Sequence, residues 1–209
     1  MAEFSKETCI NLTLSLTSKL GKTLFSEQVA WSSSHGFEDD INEFLDGSIL
    51  RTVSLLEDTA TLLANGRLLG ATATARASLE TFALMLEFIR KFKASIARGD
   101  SNDLKNLTRS FIFSSLEFNK ETGIKTPNVM DALRTAEKLV NGTIGAYSVL
   151  CEAVHPNWVG RSVSIGDGDF DWSKPDAQRL MIAIMLTASL TNTVNAECAA
   201  FCEFIAKNK

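Results

Sequence analysis

An arginine and a histidine are the residues through which this chain would bind a phosphate and move a proton. His155 stands directly before Pro156, in the stretch YSVLCEAVHPNWVG. Arg76 and Glu80 are four residues apart, a spacing that places both side chains on one face of a helix. If these two segments meet, a guanidinium and an imidazole converge on one pocket. Such a pair can bind a phosphate and transfer a proton, as cleavage of an RNA backbone requires.

The remaining polar residues of the two segments are predicted to contact the ligand. They are Glu80, Tyr147, Glu152 and Asn157. A polar strip on a buried helix needs partners, so we expect Arg76 and Glu80 to face the segment that carries Tyr147. A structural interpretation stays open, in which Arg76 and Glu80 form an ion pair and His155 only ends a helix.

No motif in the sequence predicts a metal site or a cofactor. Cys9, Cys151, Cys198 and Cys202 are scattered, so we expect reduced thiols, with the last two in the core. The acidic run GDGDFDW imitates the start of a calcium loop, but Trp172 stands where such a loop needs glycine. The sequence contains neither a phosphate-binding loop nor a dinucleotide fingerprint.

The segments that carry these residues have the periodicity of helices. Apolar residues recur every three or four positions along 37–64 and 67–98. The second segment is apolar around most of its circumference, which predicts a central helix whose polar residues, including Glu87 and Arg90, form a narrow strip. The other predicted helices span about 6–25, 101–119, 126–154 and 173–209.

Pro156 determines where the helix before it must end. Proline cannot continue a helix and disfavours the helical conformation of the residue before it, so His155 should stand at the C-terminal end. Between Trp158 and Trp172 the pattern is that of a short hairpin or an ordered loop.

These patterns together predict an all-α protein with a single domain over residues 1–209. We expect an antiparallel bundle of five or six helices, with a short irregular or hairpin insertion after His155. Several helices carry apolar residues on more than one face, which favours a homodimer formed through helices.

Composition excludes some classes of protein. The net charge of −4 argues against nucleic-acid binding through bulk electrostatics. The cluster at Arg90, Lys91, Lys93 and Arg98 is the candidate for a local basic groove, although cations at the C-terminal end of a helix more often form a solvated helix end. The longest apolar run, 180–186, is far shorter than the roughly 18 residues of a membrane span. The first twenty residues have no apolar segment typical of a secretory signal, so we expect a cytoplasmic protein.

The stretches ARASLETFALMLEFI and YSVLCEAVHPNWVG resemble bacterial helical families of the HEPN type, which include abortive-infection proteins. The resemblance covers about residues 68–160 and implies an antiparallel helical bundle, often dimeric. It also implies a metal-independent endoribonuclease whose motif is an arginine followed four to six residues later by a histidine. No arginine lies at that distance before His155, so Arg76 is the residue that would replace it.

Two functions are therefore expected from the sequence. The first is an HEPN-like protein of a defence or toxin system that binds a nucleotide or RNA and cleaves it, with Arg76 and His155 as catalytic residues. The second is a non-catalytic helical interaction or scaffold protein that forms a homodimer, in which the same residues are a structural polar cluster.

Overall fold

The computed structural model describes residues 5–20, 38–99, 101–112, 120–121, 123, 125–155 and 174–207. Seven helices are bounded within these ranges, and no strand occurs in them. The helices are α1 (Lys6–Leu20), α2 (Glu38–Ala64), α3 (Leu68–Arg98), α4 (Ser101–Ile112), α5 (Val129–Leu139), α6 (Thr143–Val154) and α7 (Pro175–Lys207). The described part of the chain is therefore all-α, as its periodicity predicts. The predicted insertion after His155 lies outside the described residues.

Helix α3 is the central element, as its apolar circumference predicts. It packs against α2, α4, α5, α6 and α7. Every residue from Thr81 to Ile89 except Leu84 is buried. Because one helix contacts so many others, polar residues on the covered faces of α3 need hydrogen-bond partners, either within α3 or on a neighbouring helix.

An aromatic cluster forms the centre of the core, where α2, α3, α4 and α7 meet. The ring centroids of Phe88 and Phe44 are 4.9 Å apart, and those of Phe88 and Phe111 are 5.3 Å apart. Phe92 and Phe201 are joined by a centroid distance of 5.2 Å with nearly perpendicular rings. Edge-to-face packing of this kind adds about 0.5–1.5 kcal/mol per pair beyond the burial of area.

Several buried threonines are satisfied within their own helices. Thr72 of α3 donates its hydroxyl hydrogen to the carbonyl of Leu68 at 2.8 Å, and Thr13 and Thr187 do the same to the carbonyls four residues earlier. A hydroxyl satisfied in this way needs no partner on another helix, so a threonine-rich sequence can still form a packed core.

The predicted helix over 126–154 is in fact two helices, which is one reason why seven are described and five or six were expected. Asn128 caps the first of them by accepting the backbone N–H of Met130 at 2.8 Å. That helix ends at Leu139, and Gly142 adopts the left-handed conformation, with φ of +94°, before α6 begins. The turn changes the direction of the chain and allows both α5 and α6 to pack against α3.

Within the described residues, no helix has both the length and the apolar composition required to cross a membrane.

Candidate functional site

Arg76 and Glu80 of α3 meet Tyr147 of α6, and these three residues are called the Arg76 cluster below. Arg76 Nε donates to Glu80 Oε1 at 3.0 Å, and Arg76 Nη2 donates to the Tyr147 hydroxyl at 3.4 Å. The Tyr147 hydroxyl in turn donates to Glu80 Oε1 at 3.0 Å. The two segments singled out in the sequence are therefore in direct contact across 71 residues of chain.

The guanidinium also lies over the tyrosine ring. Arg76 Cζ is 5.5 Å from the ring centroid of Tyr147, within the range of a cation–π contact. The side chains of Arg76 and Glu80 are 31% and 29% exposed, so water reaches both charges. The ion pair is therefore partly exposed, and an anion in solvent can contact the guanidinium.

The surroundings of the Arg76 cluster favour the neutral phenol and the charged guanidinium. Burial, followed by hydrogen bonds with Cys151 and Glu80, raises the pKa of Tyr147 to about 12. Burial opposes the charge of Arg76, but its hydrogen bond with Tyr147 and the charge of Glu80 outweigh that effect and raise its pKa. Tyr147 thus remains a hydrogen-bond donor throughout the physiological pH range.

The guanidinium keeps donors for a ligand. Of the five N–H donors of an arginine, the described contacts of Arg76 with Glu80 and Tyr147 use two. A phosphate can accept hydrogen bonds from the others, since planar guanidinium donors match its oxygens well. The chemistry available at this position is therefore anion binding, with a neutral hydroxyl beside it.

His155 stands where Pro156 predicts, as the C-cap of α6. Its backbone is extended, with φ of −70° and ψ of 146°, and its N–H donates to the carbonyl of Cys151 at 3.0 Å. The side chain is exposed. Eight residues separate it from Tyr147, which corresponds to about 12 Å along a helix axis. In the part of the chain that the structure describes, no hydrogen bond joins the His155 ring to the Arg76 cluster.

Of the remaining predicted ligand contacts, Glu152 is described by the structure. Glu152 is exposed and lies one turn before His155 on α6. Asn157 lies outside the described residues. The structure thus brings Arg76, Glu80 and Tyr147 together and leaves Glu152 with His155 at the far end of the same helix.

A second charged cluster on α3 was not predicted as a site. The Glu87 carboxylate, only 2% exposed, accepts two hydrogen bonds from Arg90, at 2.8 Å each, and lies 3.3 Å from Lys91 Nζ. Thr135 of α5 donates its hydroxyl hydrogen to the same carboxylate. Burial tends to raise the pKa of Glu87, but these donors and the two cations lower it overall. The charges of Glu87 and Arg90 in the polar strip were visible in the sequence, whereas the contact with Thr135 depends on the fold.

Among the described residues, no group of three or more histidine, cysteine, aspartate or glutamate side chains is placed to hold a metal ion. No protein-family model, curated protein or solved structure matches the chain.

Proposed function

We propose that this chain is an HEPN-like bacterial protein of a defence or toxin system, which binds RNA along α6 and cleaves it without a metal. The observation that supports this proposal is the contact between Arg76 and Tyr147. It joins the two stretches that carry the resemblance, although 71 residues separate them. The protein would act in the cytoplasm.

The proposed roles follow from the placement of each side chain. Arg76 binds one phosphate through its free N–H donors, while the Tyr147 hydroxyl accepts from Arg76 and donates to Glu80, which holds the guanidinium in place. His155, exposed at the end of α6, accepts the proton of a ribose 2′-hydroxyl, whose oxygen attacks the adjacent phosphorus. The P–O5′ bond breaks, and water protonates the leaving 5′-oxygen. The axial distance of about 12 Å between Tyr147 and His155 means that Arg76 anchors a different phosphate from the one that reacts. The substrate is therefore an RNA chain rather than a single nucleotide.

The test is cleavage of a labelled RNA oligonucleotide in the presence of a chelator, using wild type, His155→Ala and Arg76→Gln. His155→Ala should lower the cleavage rate about 100-fold or more, because the proton acceptor is removed. Its melting temperature should not change, since the side chain is exposed. Arg76→Gln should weaken RNA binding.

Ser54→Ala is the matched control, since Ser54 is also an exposed polar residue of a helix but lies on α2. It should retain full activity. Equal cleavage by wild type and His155→Ala would contradict the catalytic role of His155, and absence of RNA binding by wild type would contradict the proposed function as a whole.

A second candidate function is a non-catalytic helical interaction or scaffold protein that forms a homodimer. One observation favours it: Arg76, Glu80 and Tyr147 are hydrogen-bonded to one another, as in a structural polar cluster. The same variants separate the two candidates. If wild type has no RNA-directed activity and Arg76→Gln lowers the melting temperature strongly, the Arg76 cluster is structural.

A further inference from the structure

The hairpin formed by α3 and α4 is basic in a chain that is acidic overall. Residues 87–112 contain six basic and three acidic residues, whereas the whole chain has a net charge of −4. Helix α2 shows the opposite bias, with seven acidic residues and one basic residue. Such an asymmetry creates a local positive potential that the net charge conceals.

Two cations of this hairpin are exposed, whereas the carboxylate with which they pair is buried. Arg90 and Lys91 are 53% and 39% exposed, while the carboxylate of Glu87 that they share is buried. One carboxylate paired with two cations leaves a local excess of one positive charge. An anion that approaches from solvent meets the two cations before the carboxylate.

Two further cations lie on the α4 side of the hairpin. Lys91 Nζ is 5.8 Å from the centroid of the Phe111 ring, so the C-terminal end of α4 lies beside Lys91. Arg109 precedes Phe111 by two residues, about 3 Å along the axis and about 200° around it, so Arg109 and Lys105, one turn earlier, project from the solvent-facing side of α4. Both side chains are exposed, and in the described ranges neither has an ion-pair partner.

We propose that the α3–α4 hairpin binds the phosphate backbone of RNA through Arg90, Lys91, Lys105 and Arg109. This inference rests on the proposed function and names the surface that holds the RNA outside the reacting position. The hairpin supplies charge without base-specific groups, so it contributes affinity that is independent of sequence.

An RNA backbone fits this surface better than a membrane does. A helix that lies on a membrane inserts large apolar side chains beside its cations. The exposed large apolar residues of the described chain are Leu14, Leu50, Met130, Leu139 and Ile182, and none of them is in the hairpin. Within the described residues of the hairpin, the cations therefore have no exposed large apolar side chain beside them.

The experiment measures binding of a labelled single-stranded RNA by fluorescence anisotropy at several salt concentrations. Lys105→Gln/Arg109→Gln removes two cations that pair with no carboxylate in the described structure, so folding should be unchanged. The double variant should bind about tenfold more weakly. The slope of its log affinity against log salt concentration should be smaller in magnitude by about 1.4, since each lost phosphate contact on a single strand contributes about 0.7.

Lys138→Gln/Arg179→Gln is the matched control, since both residues are exposed cations on other helices. It should bind RNA as wild type does. If both double variants lose the same RNA affinity, or if neither loses any, the proposed role of the hairpin surface is wrong, whereas the proposed function is not contradicted. Failure of wild type to bind RNA would overturn the proposed function and this inference together. Binding to vesicles of anionic lipid but not to RNA would likewise contradict both the proposed function and this inference.

Discussion

Tyr147 is the residue through which α6 reaches the polar strip of α3. Its hydroxyl lies between a guanidinium and a carboxylate, accepting from Arg76 and donating to Glu80. These two neighbours act on the phenol in opposite directions. The positive charge of Arg76 favours a phenolate, whereas burial and Glu80 disfavour it more strongly. The result is a tyrosine that holds its proton more tightly than usual.

The chain contains a single tyrosine, so its titration can be observed directly. We expect the ultraviolet absorbance of tyrosinate to appear at about pH 12 in the folded protein and near pH 10 in the denaturant-unfolded chain. Since the folded-state pKa is raised, the stability that the neutral phenol contributes is fully present below pH 10 and is lost as pH rises towards 12.

Two variants provide the internal control for this titration. Glu80→Gln should lower the pKa of Tyr147 towards its ordinary value, because it removes a negative charge from the phenol. Arg76→Gln should raise that pKa, because it removes the cation that favours phenolate. A titration near pH 10 in the folded wild type would contradict the geometry of the Arg76 cluster.

The turn between α5 and α6 determines which face of α6 meets α3. Glu137 accepts the backbone N–H groups of Gly142 at 2.9 Å and of Ile144 at 2.8 Å, which lowers its pKa. It thereby satisfies N–H groups at the start of α6 that have no partner within that helix. This local arrangement is what positions Tyr147 towards Arg76.

Two glycines at this turn are predicted to respond oppositely to alanine. Gly142→Ala should destabilise the protein by about 1–2 kcal/mol, since φ is +94° and a Cβ would lie 3.2 Å from Cδ1 of Leu186. Gly145→Ala should stabilise it by about 1 kcal/mol, because that position is helical and nothing lies within 4 Å of an added Cβ. Urea unfolding of both variants tests this, and equal effects would contradict the described turn.

The sequence predicted the elements more fully than it predicted their contacts. Periodicity identified α3 as the central helix, and the four-residue spacing of Arg76 and Glu80 implied that they share a face. It did not separate α5 from α6, because apolar periodicity continues through Gly142 and a glycine is tolerated within a helix. Gly142 interrupts the helical segment by adopting a left-handed φ, and the spacing of apolar residues does not predict that backbone angle.

The side-chain partners on other helices were less predictable. The contact of Arg76 with Tyr147 was expected only on the condition that two distant segments meet. The contact of Glu87 with Thr135 was not expected, since a threonine on an amphipathic helix gives no signal of its partner. A glutamate between Leu86 and Phe88, in the most apolar part of α3, was the signal that a buried carboxylate needed partners.

At the scale of the whole molecule, the cluster formed by Glu87, Arg90, Lys91 and Thr135 joins the central helix to α5 in the interior of the bundle. Its carboxylate is buried, whereas Arg90 and Lys91 extend to solvent. Replacing the carboxylate by a neutral amide therefore leaves two cations that water can reach, so the loss of stability is smaller than for a fully buried ion pair. We expect Glu87→Gln to lower the free energy of unfolding by about 2 kcal/mol near neutral pH, mainly through lost charge-assisted hydrogen bonds.

The pH dependence of that difference identifies its cause. The pKa of Glu87 is lowered in the folded state from an ordinary value of 4.5, so its contribution to stability is fully present above that value and disappears as pH falls through the folded-state pKa. Urea unfolding of wild type and Glu87→Gln should therefore differ most near neutral pH and converge in acid. Asp131→Asn, which disrupts the exposed pair with Arg134, should change stability little at any pH. A difference between wild type and Glu87→Gln that stayed constant into acid would mean that packing, and not the charge of Glu87, stabilises this part of the bundle.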